Sequence, residues 1–134
     1  MPSRVQARVL LVLLIVNVTA SILHYVDNLR FFEAYPEPAW IRPHFIDAFW
    51  FVMTPLAVVG FLWFRKGSRW RASASLAAYA LMSLLVLGHY RYASPWELSF
   101  RVNLFILVEA VAAVVLLGFV LWVVVHPASR VRGA

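Results

Sequence analysis

The sequence predicts an all-α integral membrane protein, a bundle of four transmembrane helices with both termini in the cytoplasm. Three observations carry this. First, 63% of the 134 residues are hydrophobic and 13% are charged, where a soluble domain carries roughly 25% charged residues; mean hydropathy is +0.81. Second, the apolar residues fall into four runs, about 9–26, 45–64, 72–87 and 102–125, and each approaches the roughly 20 residues that cross the hydrocarbon core. Third, the basic residues are sorted. Arg4, Arg8, Arg65, Lys66, Arg69, Arg71, Arg130 and Arg132 would share one side of such a bundle, and only Arg30, Arg42, Arg91 and Arg101 the other. By the positive-inside rule the first side is cytoplasmic. The single domain, 1–134, then consists of helices at about 6–28, 43–65, 70–91 and 98–126, with an external loop at 29–42. No length remains for a soluble domain.

The first run begins like a signal peptide, with Arg4 and Arg8 ahead of an apolar stretch, and is read as the first span. It closes near Asn28. The segment that follows, "LRFFEAYPEPAWIRPH", holds Pro36, Pro38 and Pro43, which exclude a regular helix. Its aromatic residues suit a membrane interface, so it reads as a folded-over loop. Pro43 fits the first turn of the second helix, where a missing N–H costs nothing, and Pro55 predicts a kink further along. "RKGSRWR" is a tight turn. The third span, with "ASASLAAYALMS", is rich in the small residues that let helices approach closely. The fourth is the most uniformly apolar, interrupted by Asn103 and Glu109.

Polar residues concentrate at the external end. All six acids (Asp27, Glu33, Glu37, Asp47, Glu97 and Glu109) lie on the external half or inside a span. His24, His44 and His89 also fall at external helix ends. Asn17, Ser21, His24 and Asn28 are spaced to share one face of the first helix, as are His44 and Asp47 on the second, and Ser75, Met82 and His89 on the third. Glu109 lies about 10 Å inside the fourth at 1.5 Å per residue. Polar groups in hydrocarbon turn inward, because lipid cannot satisfy them. Interfacial placement accounts equally well for His44 and His89. It does not account for Asp47 and Glu109, since an intramembrane carboxylate is expensive and functional by default. For Asp47 the expected partners are His44, His24 or Asn28, and for Glu109 His89 or Tyr79. Asp47, His24 and Glu109 are therefore the candidate catalytic residues. Asp27, Asn28, His44, Trp50, Tyr79, His89 and Asn103 are the candidate ligand contacts.

One pattern occurs twice, as "HYVD" at 24–27 and "HFID" at 44–47. One copy ends the first helix and the other begins the second, so they stand at the same level. The expectation is a crossed pair, His24 with Asp47, under an outer lid of Asp27 and His44.

The stretch "PAWIRPHFIDAFWFVMTPLAVVGFLWFRKGSRW" resembles the EXPERA family, which groups the emopamil-binding sterol isomerase and the sigma-2 receptor. The shared features are Pro38-Ala39-Trp40 ahead of the second helix, Asp47 seven residues after the Trp, Pro55 within the helix, and Lys66-Gly67-Ser68 with Trp70 in the turn. The resemblance lies mainly over 38–70. It implies a ligand cavity inside a four-helix bundle, closed by the first loop, with Asp47 as the ligand- or proton-binding acid and His24 and Asp27 beside it. The chain is shorter than typical members, has Asp where Glu is usual, and offers only Asn103 for the polar pair on the isomerase's last helix.

Three functions compete. The first is a lipid-pocket protein that binds a sterol-like or other isoprenoid lipid, with its isomerisation by carboxylate/imidazole acid–base chemistry left open, and with no cofactor. The second is a metal or pigment site: His24, His44, Asp47 and His89 echo the Glu-x-x-His helices of di-metal bundles and would suit a transition metal, or a lone His would ligate haem or a chlorophyll-type pigment. The third is an accessory subunit of a larger membrane complex. The partner is accordingly a membrane lipid or hydrophobic small molecule, with a homodimer or a larger complex left open. Nucleic acid is excluded, because the basic residues flank spans where they meet anionic lipid headgroups. The lack of cysteine excludes disulfides and thiolate chemistry.

Overall fold

A computed structural model describes residues 2–126. Four long helices make up nearly all of it: α1 (Arg4–Arg30), α2 (Pro43–Arg65), α3 (Arg69–Ser83) and α4 (Phe100–Val125). Two 3₁₀ segments join them, Phe32–Ala34 after α1 and Leu84–Arg91 continuing α3. With that extension the third helical rod spans 23 residues, and all four rods are long and apolar enough to cross a membrane. Arg130 and Arg132 lie outside the described residues.

Local chemistry sets the helix ends. Ser3 caps α1 in a reciprocal pair with Gln6: the Gln6 N–H donates to Ser3 Oγ at 3.0 Å and the Ser3 N–H to Gln6 Oε1 at 2.9 Å. Pro43 opens α2 at its first position, where its fixed φ is already helical. Ser99 caps α4, accepting from the Val102 N–H at 3.3 Å. Between α2 and α3 the chain reverses at Gly67, whose φ of 76° is open to glycine at little cost. Pro55 lies inside α2, which remains one helix from Pro43 to Arg65.

The buried faces follow a repeat of four and three residues. On α1 they are Leu10, Leu14, Asn17, Ser21, His24 and Asn28; on α4, Val102, Ile106, Glu109, Ala113, Leu116 and Val120. A 3.5-residue repeat keeps an inward stripe aligned along a slightly supercoiled bundle. Helix α2 behaves differently. Its buried residues are Met53, Ala57, Gly60 and Phe64, with none before Met53. There it meets α3 closely: a Cβ at Gly60 would stand 2.7 Å from the Leu76 side chain and 3.3 Å from its backbone nitrogen. No residue of α2 ahead of Met53 is buried; there the helix touches α1 through the half-buried side chains of Asp47 and Trp50 and stands further from the third rod and α4.

The third rod changes pitch at the same level. After Ser83 the α-helix tightens to 3₁₀, and Ser83, Val86 and His89 are all buried. Side chains three apart eclipse one another in 3₁₀ geometry. Had the α-helix continued at about 100° per residue, His89 would point roughly 120° away from Ser83. The expected grouping of His89 with Met82 and Ser75 assumed that continuation. Ser75 instead donates to the Leu56 carbonyl of α2 at 2.8 Å.

The Gly60 contact is testable. Gly60→Val forces Leu76 and its backbone aside and is expected to destabilise the protein by about 1–3 kcal/mol, measured by thermal unfolding in detergent. Gly118→Val, where a Cβ meets nothing within 4 Å, is expected to leave the transition in place.

Candidate functional site

The stand-off of α2 leaves a cavity of about 600 Å³ between α1, α2 and the Leu84–Arg91 segment. Loop residues Pro36 to Ile41 cover it, and Glu109 of α4 reaches its wall. Most of the lining is apolar, including Phe45, Ile46, Phe49, Met53, Leu85 and Val86. The polar groups gather on the side facing α1 and α4.

The centre of that polar side is Glu109, 4% exposed. Its Oε2 lies 2.6 Å from His24 Nδ1, and its Oε1 accepts from the Ser83 hydroxyl at 2.8 Å. Both carboxylate oxygens are thus engaged by side chains from other rods. His24 Nε2 is buried and has no hydrogen-bond partner. The rings of His24, Tyr35 and His89 pack together, with centroids 5.3 to 5.5 Å apart. His89 Nδ1 is 3.2 Å from the Pro36 carbonyl oxygen, to which it donates, and 3.5 Å from Glu37 Oε1. Asn28 Nδ2 donates to that same Glu37 oxygen at 3.1 Å. The loop is therefore bonded to both α1 and the third rod.

A second cluster anchors the loop further out. Asp27 accepts from the Tyr35 hydroxyl at 2.7 Å and from the Arg101 guanidinium at 2.7 Å. That guanidinium also lies 3.7 Å from the centre of the Phe31 ring, a cation–π contact. Burial, and after it the hydrogen bond to Asp27, push the Tyr35 phenol well above its ordinary range. At the rim, Tyr25 donates to Asp47 and stacks on Trp50 with centroids 5.1 Å apart. Trp50 Nε1 donates to Ser21 Oγ at 3.2 Å.

Several sequence expectations need correction. The crossed pair of His24 with Asp47 does not form. His24 meets Glu109, and Asp47 stays outside the cavity wall on Tyr25. The reason is the stand-off of α2, which carries Asp47 away from α1's inward stripe. The outer lid of Asp27 and His44 is also absent: Asp27 is buried between Tyr35 and Arg101, whereas His44 is exposed against Phe45. The partners of Glu109 are His24 and Ser83, not His89 or Tyr79. Tyr79 is fully buried with an unpartnered hydroxyl outside the cavity lining. Asn103 accepts from Tyr90 at 2.9 Å and donates to the carbonyls of Pro95 and Leu98, so it ties the last connection to α4 rather than lining the cavity. Of the metal set His24, His44, Asp47 and His89, only His24 and His89 come together. Among the described residues no group of three His, Cys, Asp or Glu side chains could hold a metal ion.

Candidate residues that line the cavity are His24, Asn28, Trp50, His89 and Glu109. Sequence reasoning missed Ser83, Tyr35, Glu37, Tyr25 and Arg101. Tyr35 and Glu37 flank Pro36 in a segment whose path no periodicity encodes. Ser83 was findable, since it lies one turn beyond Tyr79. No family model, curated protein or solved structure matches the chain.

The Tyr35 anchor carries a pH signature. A tyrosine ordinarily titrates near 10, and in the fold its proton is held more tightly. Its stabilising contribution is therefore complete below pH 10 and is lost as pH rises above it. Tyr35→Phe is expected to lower stability by about 1–2 kcal/mol at pH 8 and to flatten the loss of thermal stability between pH 9 and 11, read by circular dichroism in detergent.

Proposed function

We propose that the chain is a multi-pass membrane protein, both termini cytoplasmic, whose cavity binds a sterol-like or other isoprenoid lipid. The single observation that supports this is the cavity itself. It is large, walled mainly by aliphatic and aromatic side chains, and ends on a small set of converging polar groups, which is the usual make-up of a site for an apolar ligand with one polar head. The resemblance of 38–70 to the EXPERA family favours the same reading. The basic residues flanking the helices, Arg4, Arg8, Arg65, Lys66, Arg69 and Arg71, favour the stated orientation.

The polar end also supplies acid–base groups. Glu109, by accepting from His24 Nδ1, orients the imidazole, the relation that makes a histidine effective in proton transfer. His24 can then take a proton at Nε2 from a bound lipid and return it, and a return to a different carbon shifts a double bond with no net change in atoms or electrons. In this reading His24 and Glu109 carry the chemistry. Asp47, which the sequence put first, contributes to the rim through Tyr25.

Binding is tested in lipid nanodiscs with tritiated geranylgeraniol and with the fluorescent sterol dehydroergosterol. Saturable uptake of at least one is expected. Gly88 lines the cavity, and a Cβ there meets nothing within 4 Å. Gly88→Phe is therefore expected to fold and to weaken binding by about tenfold or more as the ring takes up ligand space. If neither probe saturates, the pocket reading is wrong. Proton transfer is read separately, as deuterium uptake into the bound lipid in D₂O. His24→Ala and Glu109→Gln are each expected to slow it by about a hundredfold or more; equal rates in all three proteins would remove the acid–base assignment while leaving the binding site.

A further inference from the structure

The cavity has four sides, and three of them are tied. Toward α4, His24 and Ser83 both meet Glu109, at 2.6 and 2.8 Å. Between α1 and α2, Tyr25 donates to Asp47, Trp50 donates to Ser21 at 3.2 Å, and the Tyr25 and Trp50 rings stack. Under the loop, Asn28 donates to Glu37 at 3.1 Å and His89 to the Pro36 carbonyl at 3.2 Å. The fourth side lies between α2 and the Leu84–Arg91 segment. The side chains of 43–52 bond to α1, and those of 84–92 to the loop and to Asn103 of α4; among the described residues no such bond joins the two. Further along, Gly60 holds α2 close to Leu76 of α3. The two rods therefore meet at one end and are untied at the other.

The lips of this untied side are apolar. Phe45 and Phe49 of α2 and Leu85 of the third rod line the cavity, yet they are 46%, 39% and 63% exposed. They are wall and outer surface at once, whereas Met53 and Val86 behind them are buried. Depth decides which solvent they face. Phe49 lies seven residues beyond Arg42, about 10 Å along an α-helix. Leu85 lies six residues before Arg91, about 12 Å at the 3₁₀ rise. Both arginines are exposed, and a guanidinium keeps to the water interface. Phe49 and Leu85 then stand within the hydrocarbon, where an exposed apolar side chain meets lipid.

We infer that the cavity opens sideways into the bilayer between α2 and the 84–91 segment, and that its lipid ligand enters and leaves through this gap, from the leaflet on the loop side. The inference rests on the binding part of the proposed function and not on turnover. On this route the ligand's tail stays in hydrocarbon throughout, and no bond of the protein has to break. A route under the loop would bring the tail into water, at a cost for every methylene, and would first release Glu37 and Pro36 from Asn28 and His89.

The chain has no cysteine, so pairs can be introduced without background reaction. Phe49→Cys with Leu85→Cys is bridged across the gap by a bis-maleimide. Pro38→Cys with Tyr92→Cys, both also in the cavity lining, staples the loop to the third rod. The full chain in nanodiscs is preloaded with tritiated geranylgeraniol, and its release into excess acceptor vesicles is timed against the unbridged form of each pair. The gap bridge is expected to slow release by about tenfold or more, and the loop staple to change it by less than about threefold. Equal or greater slowing by the staple, or no slowing by either, would overturn the inference while leaving the pocket intact. Absence of saturable binding to the native chain would overturn the pocket and the inference together. Leu85→Trp decides alone should the cysteine pairs not fold or not bridge. A larger side chain in a gap slows release, whereas one that only displaces ligand from a cavity speeds it. Release slower by about threefold or more is expected, with no change in Leu87→Trp, which is exposed outside the cavity lining. Native or faster release from Leu85→Trp would overturn the inference.

Discussion

The arrangement turns on one buried carboxylate. Glu109 sits inside a bundle whose core is mainly apolar, and an isolated carboxylate there is strongly unfavourable. It is tolerated because both of its oxygens are engaged, one by His24 of α1 and one by Ser83 at the end of α3. The satisfaction of a single side chain on α4 thus fixes three rods relative to one another at one level. Helix α2 takes no part in it. At that level α2 has no polar tie to Glu109 and no small-residue contact like the one between Gly60 and Leu76. It stands off, and the cavity is the space that results.

The loop completes what the carboxylate begins. Pro36, Pro38 and Pro43 prevent the loop from forming a helix that could satisfy its own backbone, so its fixed points are side chains. Tyr35 reaches Asp27 and Arg101, and the Pro36 carbonyl and Glu37 reach His89 and Asn28. On α1 the anchors Asp27 and Asn28 lie about one turn from His24, while His89 and Arg101 lie about two turns from Ser83 and Glu109 on their own rods. The cover and the polar end of the cavity are therefore one network, and displacement of the loop would expose His24 and His89 together.

The all-helical make-up, four helices long and apolar enough to span a membrane, and their ends to within a few residues were legible in the sequence, because they depend on length, composition, proline and capping chemistry. The inward stripe of α1 was legible for the same reason: Asn17, Ser21, His24 and Asn28 are spaced for one face, and all four are buried. Partners across helices were less legible: His89 or Tyr79 was expected for Glu109, which meets His24 and Ser83. Two features were not encoded in any pattern. The 3₁₀ pitch after Ser83 turns His89 through about a third of a turn, and a periodicity argument must assume a pitch. The stand-off of α2 depends on which half of a helix finds a partner, a tertiary matter. The inward face of α1 survived, whereas the grouping of His89 with Met82 and Ser75 and the pairings across helices did not.

The doubled His-x-x-Asp pattern shows why. "HYVD" and "HFID" have the same spacing and stand at the same end of adjacent helices. In the first copy both ends are buried: His24 on Glu109, and Asp27 between Tyr35 and Arg101. In the second copy His44 is exposed and Asp47 only half-buried. Side-chain chemistry cannot explain the difference, since the residue types are the same. What differs is the helix beneath. α1 has buried residues along its inward face from Leu10 to Asn28, so a polar pair on that face must find partners or be excluded by the cost of burial. α2 has no fully buried residue ahead of Met53, and there it meets α1 through half-buried side chains, Trp50 on Ser21 and Asp47 on the Tyr25 hydroxyl. The same motif is part of a buried network in one place and of a cavity rim in the other because only one of its helices has a buried face at that level.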